Sequence, residues 1–213
     1  MQCLSQLSDN KTLRHCVFAF RLFLTNYCFY KFAKNYLFVG DRFQVFTKQL
    51  HFMSMVILLL GGNRGNTGHV LREAHKLIEQ CVGGVRKYSA IYKSPPWGFE
   101  DTQWFLNQVL FVETSLTVRE VLEKTQQIEQ EMGRQKKTTT QYEGRLVDID
   151  ILFYDEVIVS SPDLTVPHPR LHLRRFTLVP LQELAPEMIH PVLNKSITSL
   201  LELCPDTSEV IKV

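Results

Sequence analysis

Arg145-Leu-Val-Asp148-Ile-Asp150-Ile-Leu-Phe153 is aliphatic throughout, ends on an aromatic, and reads as a β-strand. Strand side chains alternate faces, so Asp148 and Asp150 point the same way, roughly 7 Å apart. Val147, Ile149, Ile151 and Phe153 are then expected to fill the opposite face. Aspartate is depleted in strands, and two on one face repel each other. A hard cation between them removes that repulsion, and carboxylate oxygens suit Mg²⁺. Arg145, just upstream, is placed to meet a phosphate. The chemistry this suggests is metal-assisted phosphoryl transfer. D-x-D is nevertheless a common pattern, and a solvated strand face with two surface acids accounts for it equally well, so the neighbouring segments must decide.

Immediately upstream lies a polar loop, Arg134-Gln-Lys-Lys-Thr-Thr-Thr-Gln-Tyr-Glu-Gly144. A charge run is usually a solvated face. Here Arg134, Lys136, Lys137 and Arg145 stand at both ends of a segment leading into two acids, which suits a metal-bound polyphosphate. The loop is expected to close over such a ligand. Downstream come a tight Asp155-Glu156 turn, a short strand Val157–Ser160 and a proline-punctuated stretch from Pro162 to Pro191. Short helices are expected near Leu178–Leu184 and Ile197–Cys204. Pro167-His168-Pro169-Arg170 and Arg174-Arg175 add further donors, although His168 taken alone reads as structural or exposed.

Farther upstream, Val56 to Leu60 is a buried apolar strand entering Gly61-Gly62-Asn63-Arg64-Gly65-Asn66. That loop is neither a Walker A loop nor the dinucleotide G-x-G-x-x-G, and reads as a tight strand-to-helix turn. Val70, Leu71, Ala74, Leu77, Ile78 and Cys81 follow helical spacing up to Gly83-Gly84. Val85 to Lys93 reads as a second strand, and Ser94-Pro95-Pro96-Trp97-Gly98-Phe99 as irregular, because two prolines forbid regular structure. Phe105 to Glu113 is a third strand, with Phe105, Asn107, Val109 and Phe111 on one face and Leu106, Leu110 and Val112 on the other. Thr117-Val-Arg-Glu120 is a capping-box pattern. The helix behind it carries Val118, Val121, Leu122, Thr125, Ile128 and Met132 on one stripe and ends at Gly133. The order β-α-β-β-α-β is the ferredoxin-like α+β plan: an antiparallel sheet with helices packed on one face, the other free for a site, plus C-terminal additions.

The charge balance divides the chain of 213 residues. Residues 1–54 carry seven lysines and arginines against two acids, and nine of the 14 phenylalanines; residues 55–213 carry 17 bases and 20 acids. The resulting −3 argues against a nucleic-acid surface as the purpose of the second part. The basic, aromatic first part reads as an extension preceding a working domain that begins at Met53 or Met55. A broken signal peptide and a membrane-surface arm are alternatives. No apolar run is long enough to span a bilayer. No C-x-x-C spacing occurs among the five cysteines, which suits a reducing compartment such as the cytoplasm, and Cys81 and Cys204 are expected in the core.

Seven motifs stand in one order: Gly61-Gly62-Asn63, Tyr92-Lys-Ser-Pro-Pro-Trp97, Phe105-Leu-Asn107, Ile128-Glu-Gln-Glu-Met-Gly-Arg134, Gly144-Arg-Leu-Val-Asp-Ile-Asp-Ile-Leu-Phe153, Leu164-Thr-Val-Pro-His-Pro-Arg170 and Arg174-Arg-Phe-Thr-Leu-Val-Pro-Leu181. In this order the chain, from about residue 55 to about residue 203, resembles the 6-hydroxymethyl-7,8-dihydropterin pyrophosphokinase family of the folate pathway. The resemblance implies Mg²⁺-dependent transfer of pyrophosphate from ATP to the pterin hydroxymethyl group, with release of AMP. It implies two Mg²⁺ ions on Asp148 and Asp150, and Arg134 and Arg145 as groups that stabilise the transferred unit. ATP would be met by Glu129, Arg134, Lys136, Arg145, Ile151, His168 and Arg174. The pterin would be met by Ser94, Pro95, Trp97 and Asn107 and sandwiched between Phe105 and Phe176. Small-molecule substrates, no nucleic acid, no membrane and a monomer or weak homodimer complete the expectation.

The residues support the same reading on their own, because a fused heteroaromatic wants flat apolar faces and a few placed polar groups. Plain core packing is the competing reading for Phe105 and Phe176. The chain also departs from the family pattern. Gly62 replaces a frequent Ser, which is expected to be harmless. Phe105 replaces a frequent Tyr and keeps the stacking face. Tyr142 stands for a Trp of some members, and Lys136 for an Arg, which loses bidentate phosphate contact. Two other functions fit a D-x-D or a ferredoxin-like plan. A glycosyltransferase would need a longer chain with a parallel nucleotide domain, and an RNA-binding module would need basic residues where this domain places acids.

Overall fold

Five consecutive aliphatic residues, Val56 to Leu60, form the middle of strand β1 (Ser54–Gly62), and all five are buried. An uninterrupted apolar run is what a strand covered on both faces requires. The computed structural model describes residues 53–99, 101–133 and 146–213. Within them β1 is followed by helix α1 (Thr67–Cys81), strands β2 (Gly84–Tyr88), β3 (Tyr92–Ser94) and β4 (Phe105–Thr114), helix α2 (Val118–Glu131) and strand β5 (Asp148–Tyr154). Short strands β6 (Val159–Ser160) and β7 (Thr165–Val166) pair with each other. A 3-10 turn at Leu171–Leu173, helices α3 (Arg175–Leu184) and α4 (Ile197–Glu202), and strand β8 (Ile211–Lys212) complete the order. The main sheet is antiparallel, ordered β5-β1-β4-β3-β8, with β2 also pairing with β4. This is the expected ferredoxin-like α+β plan.

Both long helices start as their sequences direct. The Asn66 side chain accepts the His69 amide at the head of α1, and Thr117 and Glu120 form the full capping box of α2. The apolar stripes of α1 and α2 then close one face of the sheet. Leu71, Ala74, Ile78, Val121 and Ile128 pack on Val56, Leu58, Leu60, Leu110, Val112, Val147, Ile149 and Ile151. On the other face Leu171, Leu178, Leu181, Ile197 and Leu200 pack on Ile57, Leu59, Val109, Phe111, Leu152 and Phe153. The side expected to stand free is therefore half covered by α3 and α4.

Four local expectations are corrected. Phe153 does not share a face with Ile151: the β1–β5 register slips between Ile57 and Leu58, so Leu152 is an extra residue and both it and Phe153 join the second cluster. The single strand Val85–Lys93 is broken in two, because Ser89 exchanges bonds with Val109 and the Ala90 amide goes to the Glu183 carboxylate at 2.9 Å. The strand Val157–Ser160 shrinks to Val159–Ser160 and pairs with β7 rather than with the main sheet. Cys81 is exposed and Cys204 half-buried, so neither is the core residue its apolar pattern suggests. The buried stripe runs Leu71, Ala74, Ile78 and Val82, so Cys81 lies beside it and faces out.

Candidate active site

The sheet register lines the functional candidates up in one row. Tyr92 pairs with Asn107, Asn107 with Gly61, and Gly61 with Asp148, so these positions lie on the same face across β3, β4, β1 and β5. The next row places Val109 beside Leu59 beside Asp150. Gly61 is what leaves space between Asn107 and Asp148: a Cβ there would stand 3.1 Å from Asn107 Oδ1. A cavity of about 410 Å³ opens over this gap, within the range of small-molecule sites.

One wall of the cavity is aromatic. Phe105 meets Phe99 edge-on at 6.0 Å and Phe176 meets Trp97 edge-on at 6.4 Å, and all four line the cavity. Phe105 and Phe176 are both half-buried and line the cavity, and Phe176 also packs against the second core cluster. Asn107 is buried, and its Nδ2 donates to Ser94 Oγ at 3.0 Å, which fixes the direction of the amide. Ser94 and Pro95 complete this side.

The opposite wall is charged. Arg174 precedes α3, whose first amide, that of Arg175, donates to Asp206 Oδ2 at 3.0 Å. That remote carboxylate caps the helix and leaves the Arg174 side chain to turn inward. Its Nη1 lies 3.3 Å from Asp150 Oδ2, and its guanidinium sits 4.9 Å from the Trp97 ring centre and 5.6 Å from that of Phe176. His168 is delivered by the bulge in β5. The displaced Leu152 carbonyl accepts the His168 amide at 3.0 Å, bringing Nε2 to 4.0 Å from Asp150. Burial first, then Arg174 and Arg170, push the imidazole down to about 4, so it is neutral near pH 7.

Glu129 projects from α2 toward β5 and is buried. Its Oε1 accepts the Ile149 amide at 2.8 Å, the residue between the two acids, so the carboxylate braces the D-x-D strand from behind. Ile151, implied as an ATP contact, is not brought to the cavity. Strand alternation turns its side chain into the core beneath the helices. Arg134, Lys136, Lys137, Tyr142 and Arg145 lie outside the described residues. Arg170, read as a further donor, does line the cavity, and sequence reasoning missed Phe99, Leu122, Thr125 and Gln126 as lining residues. The α2 stripe carried a signal, because it runs Leu122, Thr125, Ile128 and then ends on an acid, Glu129. Gly62 is also less neutral than expected: a Cβ on it would run into the Leu146 carbonyl.

Among the described residues no cluster of three or more His, Cys, Asp or Glu side chains is set to hold a metal alone. Two carboxylates on one face nevertheless fit Mg²⁺, which typically takes one or two carboxylates plus substrate phosphates and water. Arg174 already pairs with Asp150 from the other wall.

Residues 57–186 match the model of the 7,8-dihydro-6-hydroxymethylpterin-pyrophosphokinase family, HPPK. The chain belongs to this family. It is 38% identical over 143 residues to the 2-amino-4-hydroxy-6-hydroxymethyldihydropteridine pyrophosphokinase of Aquifex aeolicus, covering 67% of this chain and 88% of that protein. It is 37% identical over 153 residues to the folic acid synthesis protein fol1 of Pneumocystis carinii, 71% of this chain but 20% of that longer protein. In fold it is similar to the Plasmodium falciparum HPPK-DHPS crystal structure with pteroate, with a TM-score of 0.60 at 17% identity, covering 71% of this chain and 44% of that one. The HPPK match lies inside the stretch, residues 55 to about 203, over which the seven motifs run. It takes in every structural element from β1 to α3. Among the described residues no helix is long and apolar enough to cross a membrane.

Proposed function

We propose that the protein transfers the pyrophosphoryl group of ATP to the hydroxymethyl group of 6-hydroxymethyl-7,8-dihydropterin, in the manner of the pyrophosphokinases it resembles. The observation that carries this reading is the row Asn107–Gly61–Asp148, which sets a ring-reading amide and an acid on either side of an open floor. The pterin lies between the half-buried faces of Phe105 and Phe176, with Trp97 at its edge, and the Asn107 amide bonds its polar rim. The acceptor hydroxyl then points along the row toward Asp148 and Asp150.

In the reaction the hydroxyl oxygen bonds to the β-phosphorus of ATP while the bond to the bridging oxygen breaks. AMP leaves with that electron pair, and the hydroxyl proton passes to water. Little covalent work is asked of the protein; positioning and charge neutralisation suffice. Asp148 and Asp150 would hold Mg²⁺, which supplies neutralisation of the phosphate charge. Arg174 and Arg170 add fixed positive charge on the same wall. His168, neutral, offers a hydrogen bond without adding a charge. Glu129 serves the strand through the Ile149 amide, so its role is to hold the acids in place. The exposed, free Cys81 suits a reducing compartment such as the cytoplasm.

The test is release of AMP from ATP, measured with and without hydroxymethyldihydropterin and with and without Mg²⁺. Release that requires both supports the reading. Absence of AMP formation with both present overturns it.

A further inference from the structure

The segment joining β3 to β4 carries Pro95, Trp97, Gly98 and Phe99, which line the cavity, and it has no strand or helix to hold its shape. Among the described residues, Asp101 and Gln103 tie the segment to the β1–α1 turn. Asp101 Oδ2 accepts Arg64 Nη2 at 2.8 Å and Asn63 Nδ2 at 3.1 Å, and Asp101 Oδ1 accepts the Gln103 amide at 3.0 Å. Arg64 Nη1 donates in turn to Gln103 Oε1 at 2.9 Å. The Arg64 guanidinium thus forks across two residues of the segment, a geometry a lysine cannot reproduce. The Asp101 side chain is only 9% exposed, although Arg64 is 43% exposed. Asn63, the residue next to Arg64, is itself buried, so the anchor on the β1–α1 turn is fixed.

We infer that Arg64 and Asp101 are positioning residues for the ring-binding wall: their ion pair latches the β3–β4 segment to the β1–α1 turn and holds Trp97 and Phe99 in the shape that receives the pterin. Neither residue lines the cavity. Their effect therefore falls on ring binding, not on the charged wall or the transfer step. This inference rests on assigning the aromatic wall to the pterin.

Both tryptophans of the chain, Trp97 and Trp104, lie in the latched segment, so selectively excited tryptophan fluorescence reports this segment alone. The experiment compares the full chain with Arg64→Ala, Arg64→Lys and Asp101→Ala, each checked by thermal melting. In the ligand-free protein, acrylamide quenching should rise in Arg64→Ala and further in Asp101→Ala, which loses three donors' acceptor. In titrations and steady-state assays, Arg64→Ala should raise the pterin Kd and KM about three- to fivefold, the scale of a half-exposed pair. The KM for ATP and kcat should stay within about twofold. Arg64→Lys should recover only part of the loss. Quenching and pterin Kd unchanged in both alanine variants would overturn the latch. So would a loss shared equally by ATP and pterin. If the unaltered protein neither binds nor turns over the pterin while the quenching differences persist, the latch stands and the assignment of the wall fails.

Discussion

Leu58 and Leu59 are neighbours in β1, yet Leu58 is sealed beneath α1 and α2 while Leu59 stands beside Asp150 at the rim of a cavity. On the first face, two helices of 15 and 14 residues pack an apolar cluster against the sheet, interrupted by the buried Thr125 and by Glu129, whose carboxylate accepts the Ile149 amide. On the second, helices of 10 and 6 residues cover only part of it. The row of Asn107, Gly61 and Asp148 is left uncovered. One side of each strand is therefore answerable to stability and the other, over its exposed half, to chemistry. A strand with period-two alternation can serve both without compromise.

That division is open to direct attack, and the sharpest blow falls on the acids. Asp148→Ala or Asp150→Ala should lower kcat for AMP formation by about 10³-fold or more, because a metal ligand lost from a transition state costs several kcal/mol. The melting temperature of Asp150→Ala should fall slightly through loss of the Arg174 ion pair. Near-normal Mg²⁺-dependent turnover in either variant would sink the metal assignment. Leu58→Ala probes the sealed side. It should cost about 3 kcal/mol in denaturant unfolding and leave kcat of the folded protein within about twofold. A large loss of kcat at full occupancy of the native state would show that the two faces are not separable.

Gly61→Ala tests the floor itself. Its Cβ would force the Asn107 amide, fixed to Ser94, to give way by a few tenths of an ångström. The pterin KM should rise about tenfold, the scale of one lost hydrogen bond, with the ATP KM unchanged. Equal KM values in the two proteins would mean that Asn107 does not read the ring.

A smaller effect separates the buried end of the second face from the open end. His190 is buried against the edge of Phe153, and its Nδ1 accepts the amides of Val192 and Leu193. Burial first, then His172, pushes it below the usual histidine value. A histidine depressed in the folded state is protonated first in the unfolded chain, so stability falls as pH drops below about 6.5. Unfolding free energies at pH 7.5 and 5.5 should show this, and His190→Asn should reduce the slope, with His168 supplying the remainder; an unchanged slope would place the titration elsewhere. The smallest effect expected is none. A chain beginning at Met55 should keep full activity, because the Met55 carbonyl accepts the Asp155 amide and the Met55 nitrogen donates to Asp155 Oδ1, each at 2.8 Å. Unfolding or lost turnover in that chain would show that residues 1–54 pack on the domain.

Much of this was legible in the residues. The two faces of β4, the capping box at Thr117, the α1 stripe and the side of β5 that carries its acids all follow local periodicity, which a window of ten residues contains. What escaped was set by partners distant in sequence. The break at Ser89–Ile91 exists because Glu183, more than 90 residues away, takes the Ala90 amide. The slip at Leu152 depends on the register with β1 and on the His168 amide, and β8 forms only because β3 offers it an edge. In the candidate site, the acids and the aromatic pair were visible as motifs. The bracing role of Glu129 was not, since only the fold shows that its carboxylate meets the Ile149 amide. The basic loop from Arg134 to Arg145 lies outside the described residues.

The extra residue at Leu152 gives β5 two phases rather than one. Before it, Asp148 and Asp150 keep step with Gly61 and Leu59; after it, Tyr154 is set so that its hydroxyl reaches the Leu116 carbonyl at 2.6 Å. Chain length across residues 148–154 is therefore held more tightly than composition. Exchanging Leu152 for another aliphatic residue leaves both halves in step. Deleting Leu152 would keep the pairing with β1 but remove the carbonyl that holds the His168 amide, so a single-residue gap there in an alignment would mark a protein whose histidine is held differently.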